Sequence, residues 1–292
     1  MQLKYSFNKE WIHFWRTGRF WGILGGIIAF AFTYPLMFKF MDFAMEQMQQ
    51  PSAIVQTATA AIQDGTGTAA DENIFGDMAG MYSDGGMMFA TSIIGLSTYS
   101  LLIVMLVLMS AAGGEQKKRA MIIPMCAGLK YENYLLPKFV IYPLVVLVET
   151  FLCSLLSGAL CSAMFEINPP TAGNIVLSSA LMAVYMAFIT AVYLSVGLCT
   201  SRPGVMTPVV FLGQTILQSI LEGFRLTDYH PFALTTMISR INSGEFDLAE
   251  NLASIMVSVA LAVVISVMMY FLALGVLKAK RVDNQSEEKP EF

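Results

Sequence analysis

Glu149 is the one acid deep inside a long apolar run of this 292-residue chain. It follows Lys138 by eleven residues, roughly 16 Å along a helix, which puts it near the centre of a hydrocarbon core about 30 Å thick. A carboxyl at that depth is costly, so it is a functional candidate by default. It could bind a cationic group on a substrate or titrate during transport. The structural alternative is a carboxyl hydrogen-bonded to a neighbouring helix. A second polar set, Thr207, Gln214, Gln218 and Glu222, falls on one stripe of a later apolar run. Such a stripe either lines a translocation path or hydrogen-bonds between subunits.

Familiar catalytic patterns are missing. The sequence contains no G-x-x-x-x-G-K-[ST], no H-E-x-x-H and no G-x-S-x-G. Its two histidines, His13 and His230, are expected on opposite sides of a membrane, which leaves no His-based metal site in one chain. Cys126, Cys153, Cys161 and Cys199 fall in apolar runs or on the inner side, as packing residues rather than a disulfide framework. Enzyme activity, a cofactor and a metal are not expected in this chain.

The elements that must position these residues are membrane helices. The composition is 56% hydrophobic and 13% charged, about half the charge of a soluble domain. Six apolar runs are candidates to cross: Phe20–Phe38, Met87–Ala112, Val140–Phe165, Ile175–Cys199, Val205–Leu221 and Leu252–Leu277. A segment alone in lipid must satisfy its own backbone, which makes each a helix. The fifth run is the shortest and most polar, with Pro208, Gly213, Gln214 and Gln218. Of 17 Lys and Arg, all but Lys39, Arg225 and Arg240 lie in clusters at Lys4–Arg19, Lys117–Lys138, Arg202 and Lys278–Lys289. Insertion retains Lys and Arg in the cytoplasm, so six crossings with both termini inside are expected. Because charge is sorted by side, the net −4 does not indicate a nucleic-acid partner.

The expected organisation is an interfacial helix over 1–19, a six-span domain over 20–277 and a polar cytoplasmic tail over 278–292. In the first, Leu3, Phe7, Trp11, Phe14 and Trp15 share one helical face, consistent with a helix lying in the inner interface among membrane lipids. An ordinary aromatic and basic flank to a span is the alternative. No cleavable signal peptide is apparent, and the first run is expected to stay as an anchor. The outer segments are 40–86 and 222–251. Met41, Met45 and Met48 in the first of these continue the preceding helix. In the second, Phe232, Leu234, Met237, Ile238 and Ile241 suggest one or two short helices at the outer leaflet. Gly18, Gly22 and Gly26 form small-xxx-small steps for close helix packing.

The inner connection 113–138 carries a family resemblance. After Lys117, Lys118 and Arg119, its segment from Met121 contains Pro124, Gly128, Tyr131, Tyr134 and Lys138. This resembles the first cytoplasmic loop of ABC-2 type transporter permeases, where a short coupling helix contacts the ATPase. The stretch Asn8–Phe20 is similar to that family's membrane-parallel connecting helix, and Tyr229-His230-Pro231-Phe232 to its Pro-aromatic stretch between spans five and six. Lys118-Arg119 stands where the family often has Gly-Thr or Gly-Ser. The resemblance implies an all-α integral membrane permease with a cytoplasmic coupling helix. It also implies a separate P-loop ATPase subunit holding ATP and Mg, and a second permease copy or paralogue. Export of an amphipathic or lipid-like substrate from a bacterial cell would follow. Two alternatives remain open: an ion-coupled secondary transporter using Glu149, and a non-transporting immunity or sensor subunit.

Overall fold

The computed structural model describes residues 2–49, 84–117, 128–200, 203–223, 229–244 and 248–287. Among these the protein is helical, and a single bridge between Asp84 and Ile167 is the strand-like pairing present. The helices are α1 (Gln2–Arg16), α2 (Arg19–Gln49), α3 (Gly85–Lys117), α4 (Tyr131–Met164), α5 (Ala172–Cys199), α6 (Pro203–Gly223), α7 (Ala233–Asn242) and α8 (Leu248–Glu287). The tail beyond Glu287, most of the outer segment 40–86 and the residues Lys118, Arg119 and Pro124 lie outside the described residues.

Five of the helices, α2, α3, α4, α5 and α8, are long and apolar enough to cross a membrane. The sixth expected crossing corresponds to α6, a helix of 21 residues, whose described side chains include the apolar stretch Pro208–Leu221. Helix α2 continues without a break through Met41, Met45 and Met48, as their spacing predicts.

Helix α5 is the hub, packing against α3, α4, α6, α7 and α8. Its fully buried residues include Met182, Met186 and Leu194. Thr171 caps its start by accepting a hydrogen bond from the Asn174 amide at 3.3 Å. Helix α8 buries least of the five and exposes Val263, Met268 and Phe271.

Lipid gives apolar side chains little reason to prefer one another, so close backbone approach and dispersion hold such helices together. Three glycines permit that approach. A Cβ at Gly26 would meet Ile103 Cδ1 at 2.6 Å, one at Gly95 would meet the Tyr34 ring at 2.5 Å, and one at Gly158 would meet Ile175 Cγ2 at 2.6 Å and Phe89 Cε2 at 2.8 Å. The expected Gly18–Gly22–Gly26 series therefore divides. Gly26 is a true contact, and Gly22 has ordinary room, 3.5 Å from Val107. Gly18 has nothing within 4 Å and instead takes φ 71° in the turn between α1 and α2. Gly158→Val should overpack the α3–α4–α5 seam and lower stability by about 1–3 kcal/mol. Thermal unfolding in mild detergent checks this, with Gly213→Ala, a mid-helix glycine with open space, expected to lose no stability.

The end of the bundle that carries α7 is tied by polar side chains. Asp84 accepts from the Met87 amide at 2.9 Å and from Asn168 Nδ2 at 3.1 Å, which caps α3 and anchors the turn after α4. Asn242 Nδ2 donates to Ser178 Oγ at 2.9 Å. Helix α7 is the short helix expected in 222–251. Its apolar residues Leu234, Met237 and Ile238 are buried within the protein, with α7 seated on α5 and α3.

Candidate functional site

Helix α1 is held to α4 by a buried ion pair. Lys138 Nζ donates to Glu10 Oε1 at 2.7 Å, with the lysine side chain 0% exposed and the glutamate side chain 8%. The ammonium also stands 5.2 Å over the Tyr134 ring. One turn further along α4, Arg19 Nη1 donates to the Tyr142 hydroxyl at 2.7 Å, and Phe14 meets that tyrosine edge-on at 5.0 Å. At the other end of α1, Asn133 Nδ2 donates to Gln2 Oε1 at 3.3 Å. This attachment divides the aromatic stripe of α1. Phe14 is fully buried in the protein, whereas Leu3, Trp11 and Trp15 remain exposed.

These contacts change the reading of the inner connection. Tyr131, Tyr134 and Lys138 are not in a loop: they form the first turns of α4. The chain enters that helix through Gly128, whose φ of 85° favours glycine. Tyr134 is buried, and Lys138 is already paired with Glu10. Tyr134 and Lys138 are thus turned into the protein, whereas Tyr131 is half-buried. Lys117 is the last residue of α3, and its side chain is not among those described.

Glu149 lies near the middle of α4, with 5% of its surface exposed. Neither carboxyl oxygen receives a hydrogen bond, and the hydroxyls of Thr150, Ser154 and Ser157 on the same helix are likewise buried without a partner. Thr150, Ser154 and Ser157, spaced by four and three residues, share one face of α4, and Glu149 stands about 100° round the helix from Thr150. The C-terminal part of that face meets α3 and α5, since Gly158 abuts Phe89 and Ile175. Ser179 of α5 adds a further buried hydroxyl without a partner. Buried polar groups normally find partners, so this unsatisfied stripe inside an apolar bundle stands out. Other buried hydroxyls here do find them: Ser92, Thr190 and Ser195 each donate to a backbone carbonyl at 2.7–3.0 Å.

On α6, Gln214 turns inward to α5. Its Nε2 donates to the Tyr185 hydroxyl at 2.8 Å, and its Oε1 accepts from the Tyr193 hydroxyl at 3.2 Å. Gln218, one turn on, is half-buried. Thr207 and Glu222 belong to the same helix, but their side chains lie outside those described. The polar stripe of α6 thus serves in part as its attachment to the hub, and it does not join Glu149 in a single described cluster. Among the described residues no group of His, Cys, Asp or Glu is arranged to hold a metal ion.

Comparison with protein-family models, with curated proteins and with solved structures found no match. The site therefore rests on its own geometry.

Residues that sequence reasoning passed over are Glu10, Arg19, Tyr142 and the α4 hydroxyls. Glu10 had one available signal. It is the sole acid in an otherwise basic amphipathic segment, on the same expected side of the membrane as Lys138.

Proposed function

We propose that this chain is the membrane-spanning permease subunit of a transporter driven by a separate P-loop ATPase, which would bind ATP and Mg. In this reading α6 completes six crossings with both termini inside a bacterial cell membrane. A second copy or paralogue pairs with the chain, and an amphipathic or lipid-like substrate is exported. The observation that supports it most is the clasp between α1 and α4. The two sequence segments that resemble ABC-2 permeases, around Asn8–Phe20 and around Tyr131–Lys138, lie far apart in sequence yet are joined by Glu10–Lys138. A push on the inner end of α4 would be carried to α1 and into the bundle as a rigid movement, which is what a mechanical drive requires.

The test is purification of the tagged chain in mild detergent with identification of its partners. A P-loop ATPase at one-to-one stoichiometry is expected. Tyr131→Ala should weaken its capture by about 30-fold, the cost of losing an interfacial hot spot of about 2 kcal/mol. A chain that purifies alone from its native membrane and shows no ATP-dependent activity would sink the proposal.

One observation favours a second reading, the unpaired carboxyl of Glu149. An ion-coupled transporter would place its coupling ion there. Flux in liposomes driven by an ion gradient alone, and abolished by Glu149→Gln, would decide for it.

A further inference from the structure

A groove of about 500 Å³ runs between α4, α5 and α8. Its floor is made of small residues, with Ala191 and Ala262 almost fully buried, and its rim of exposed ones, Val263 at 56% and Val267 at 50%. Ser266 and Tyr270 are its polar side chains; the rest of the lining is apolar. From Val259 to Phe271 the lining extends along α8 for about 18 Å, close to one leaflet of a core about 30 Å thick. It lies on the opposite side of α4 from Glu149, because Leu147 lines it and two residues turn a helix by about 200°.

The end of the groove toward the start of α4 is charged. Phe139 and Tyr270 meet edge-on at 5.5 Å there. Tyr270 is within electrostatic reach of Glu132 and Lys278. Those two form an exposed ion pair of 2.8 Å, and the exposed Lys130 acts on the same Glu132. Two ammonium groups and one carboxylate therefore lie beyond the Phe139–Tyr270 end of the apolar slot, with Lys278 about two turns past Tyr270 along α8. The ammonium of Lys278 has three donors and commits one to Glu132.

We propose that this groove is a binding site for one acyl chain of an anionic phospholipid from the leaflet on the Lys130–Lys278 side, with the lipid phosphate held by those two lysines. The shape selects a thin flexible chain. A helix of a second copy, about 10 Å across with its side chains, is too wide to enter a slot between three packed helices. The excess positive charge selects an anionic headgroup, each lysine near the surface favouring it by about fivefold. The site is independent of the proposed drive by an ATPase.

Native mass spectrometry of the full chain tests this, with phosphatidylglycerol and phosphatidylcholine of identical acyl chains added to delipidated protein. One phosphatidylglycerol retained per chain is expected. Val263→Trp combined with Val267→Trp closes the mouth from already exposed positions and should weaken retention of both lipids at least about tenfold. Lys130→Ala with Lys278→Ala should remove the preference for phosphatidylglycerol and leave phosphatidylcholine binding unchanged. A phospholipid with a photoreactive acyl chain gives a measurement on the unaltered protein: crosslinks should concentrate in 136–147 and 259–271. No stoichiometric lipid, retention indifferent to the two tryptophans, or crosslinks spread evenly over the exposed helices would each overturn the site. Dimerisation on lipid removal that the tryptophans block would do so too, by assigning the groove to a second copy.

Discussion

Lys138→Met destabilises the protein by about 3–5 kcal/mol, the cost of leaving one member of a buried ion pair without its counter-charge. The lysine side chain is wholly buried and sits 2.7 Å from Glu10, so its removal strands a carboxylate between α1 and α4. Taking both charges away is a different matter. Desolvating two ions nearly cancels their attraction, so Glu10→Met with Lys138→Met should recover stability to within about 1 kcal/mol of the unaltered protein. Thermal unfolding in mild detergent measures both. Limited proteolysis localises the effect, because the single variant should release α1 from α4 while the double variant, with no stranded charge, keeps it docked through Phe14–Tyr142. If the single and double variants lose equal stability, the pair is not what holds α1. Lys130→Met, at an exposed position before the same helix, should be nearly silent.

The pair also shows what a sequence conveys about a membrane protein and what it withholds. The long helices were legible because lipid demands long apolar runs and hydrogen-bonded backbone, and α2, α3, α4, α5 and α8 answer to those demands directly. The charge rule sorts residues by side, so it grouped Lys138 with Lys117, Lys118 and Arg119 as one basic surface. It says nothing about partners across 128 residues, and a paired interior lysine looks the same as a loop lysine. Tyr134 suffered the same fate: its spacing from Tyr131 was visible, whereas its burial in the core, beneath the Lys138 ammonium, was not. Glycine spacing misled in a similar way. Gly18, Gly22 and Gly26 repeat every fourth residue, yet contact depends on the opposing side chain, and Ile103 lies opposite Gly26 alone. Gly95 and Gly158, which approach Tyr34, Ile175 and Phe89 as closely, belong to no repeat. The fifth apolar run was visibly different from the others. Its glutamine serves as an attachment to Tyr185 and Tyr193, which explains why a polar residue is tolerated there.

Glu149→Leu should make the protein more stable, by about 1–3 kcal/mol, the penalty ordinarily attached to a buried polar group without a hydrogen bond. The carboxyl lies at mid-helix, 5% exposed, with no donor to either oxygen. Leucine has a similar volume and no polar atom to satisfy. Ser154→Ala and Ser157→Ala should each move stability in the same direction by a smaller amount, since each removes one buried hydroxyl that has no partner. Serines that do bond a carbonyl, such as Ser195 with Met269 at 3.0 Å, should instead lose stability on the same substitution. Unfolding in detergent separates the two groups by sign. If Glu149→Leu is destabilising, the carboxyl has a structural partner and belongs to the packing of the bundle. If it is stabilising, the protein carries an unsatisfied acid at a cost, as functional sites do when activity and stability compete. A more stable protein that has also lost flux in liposomes would then connect the stripe along α4 to transport.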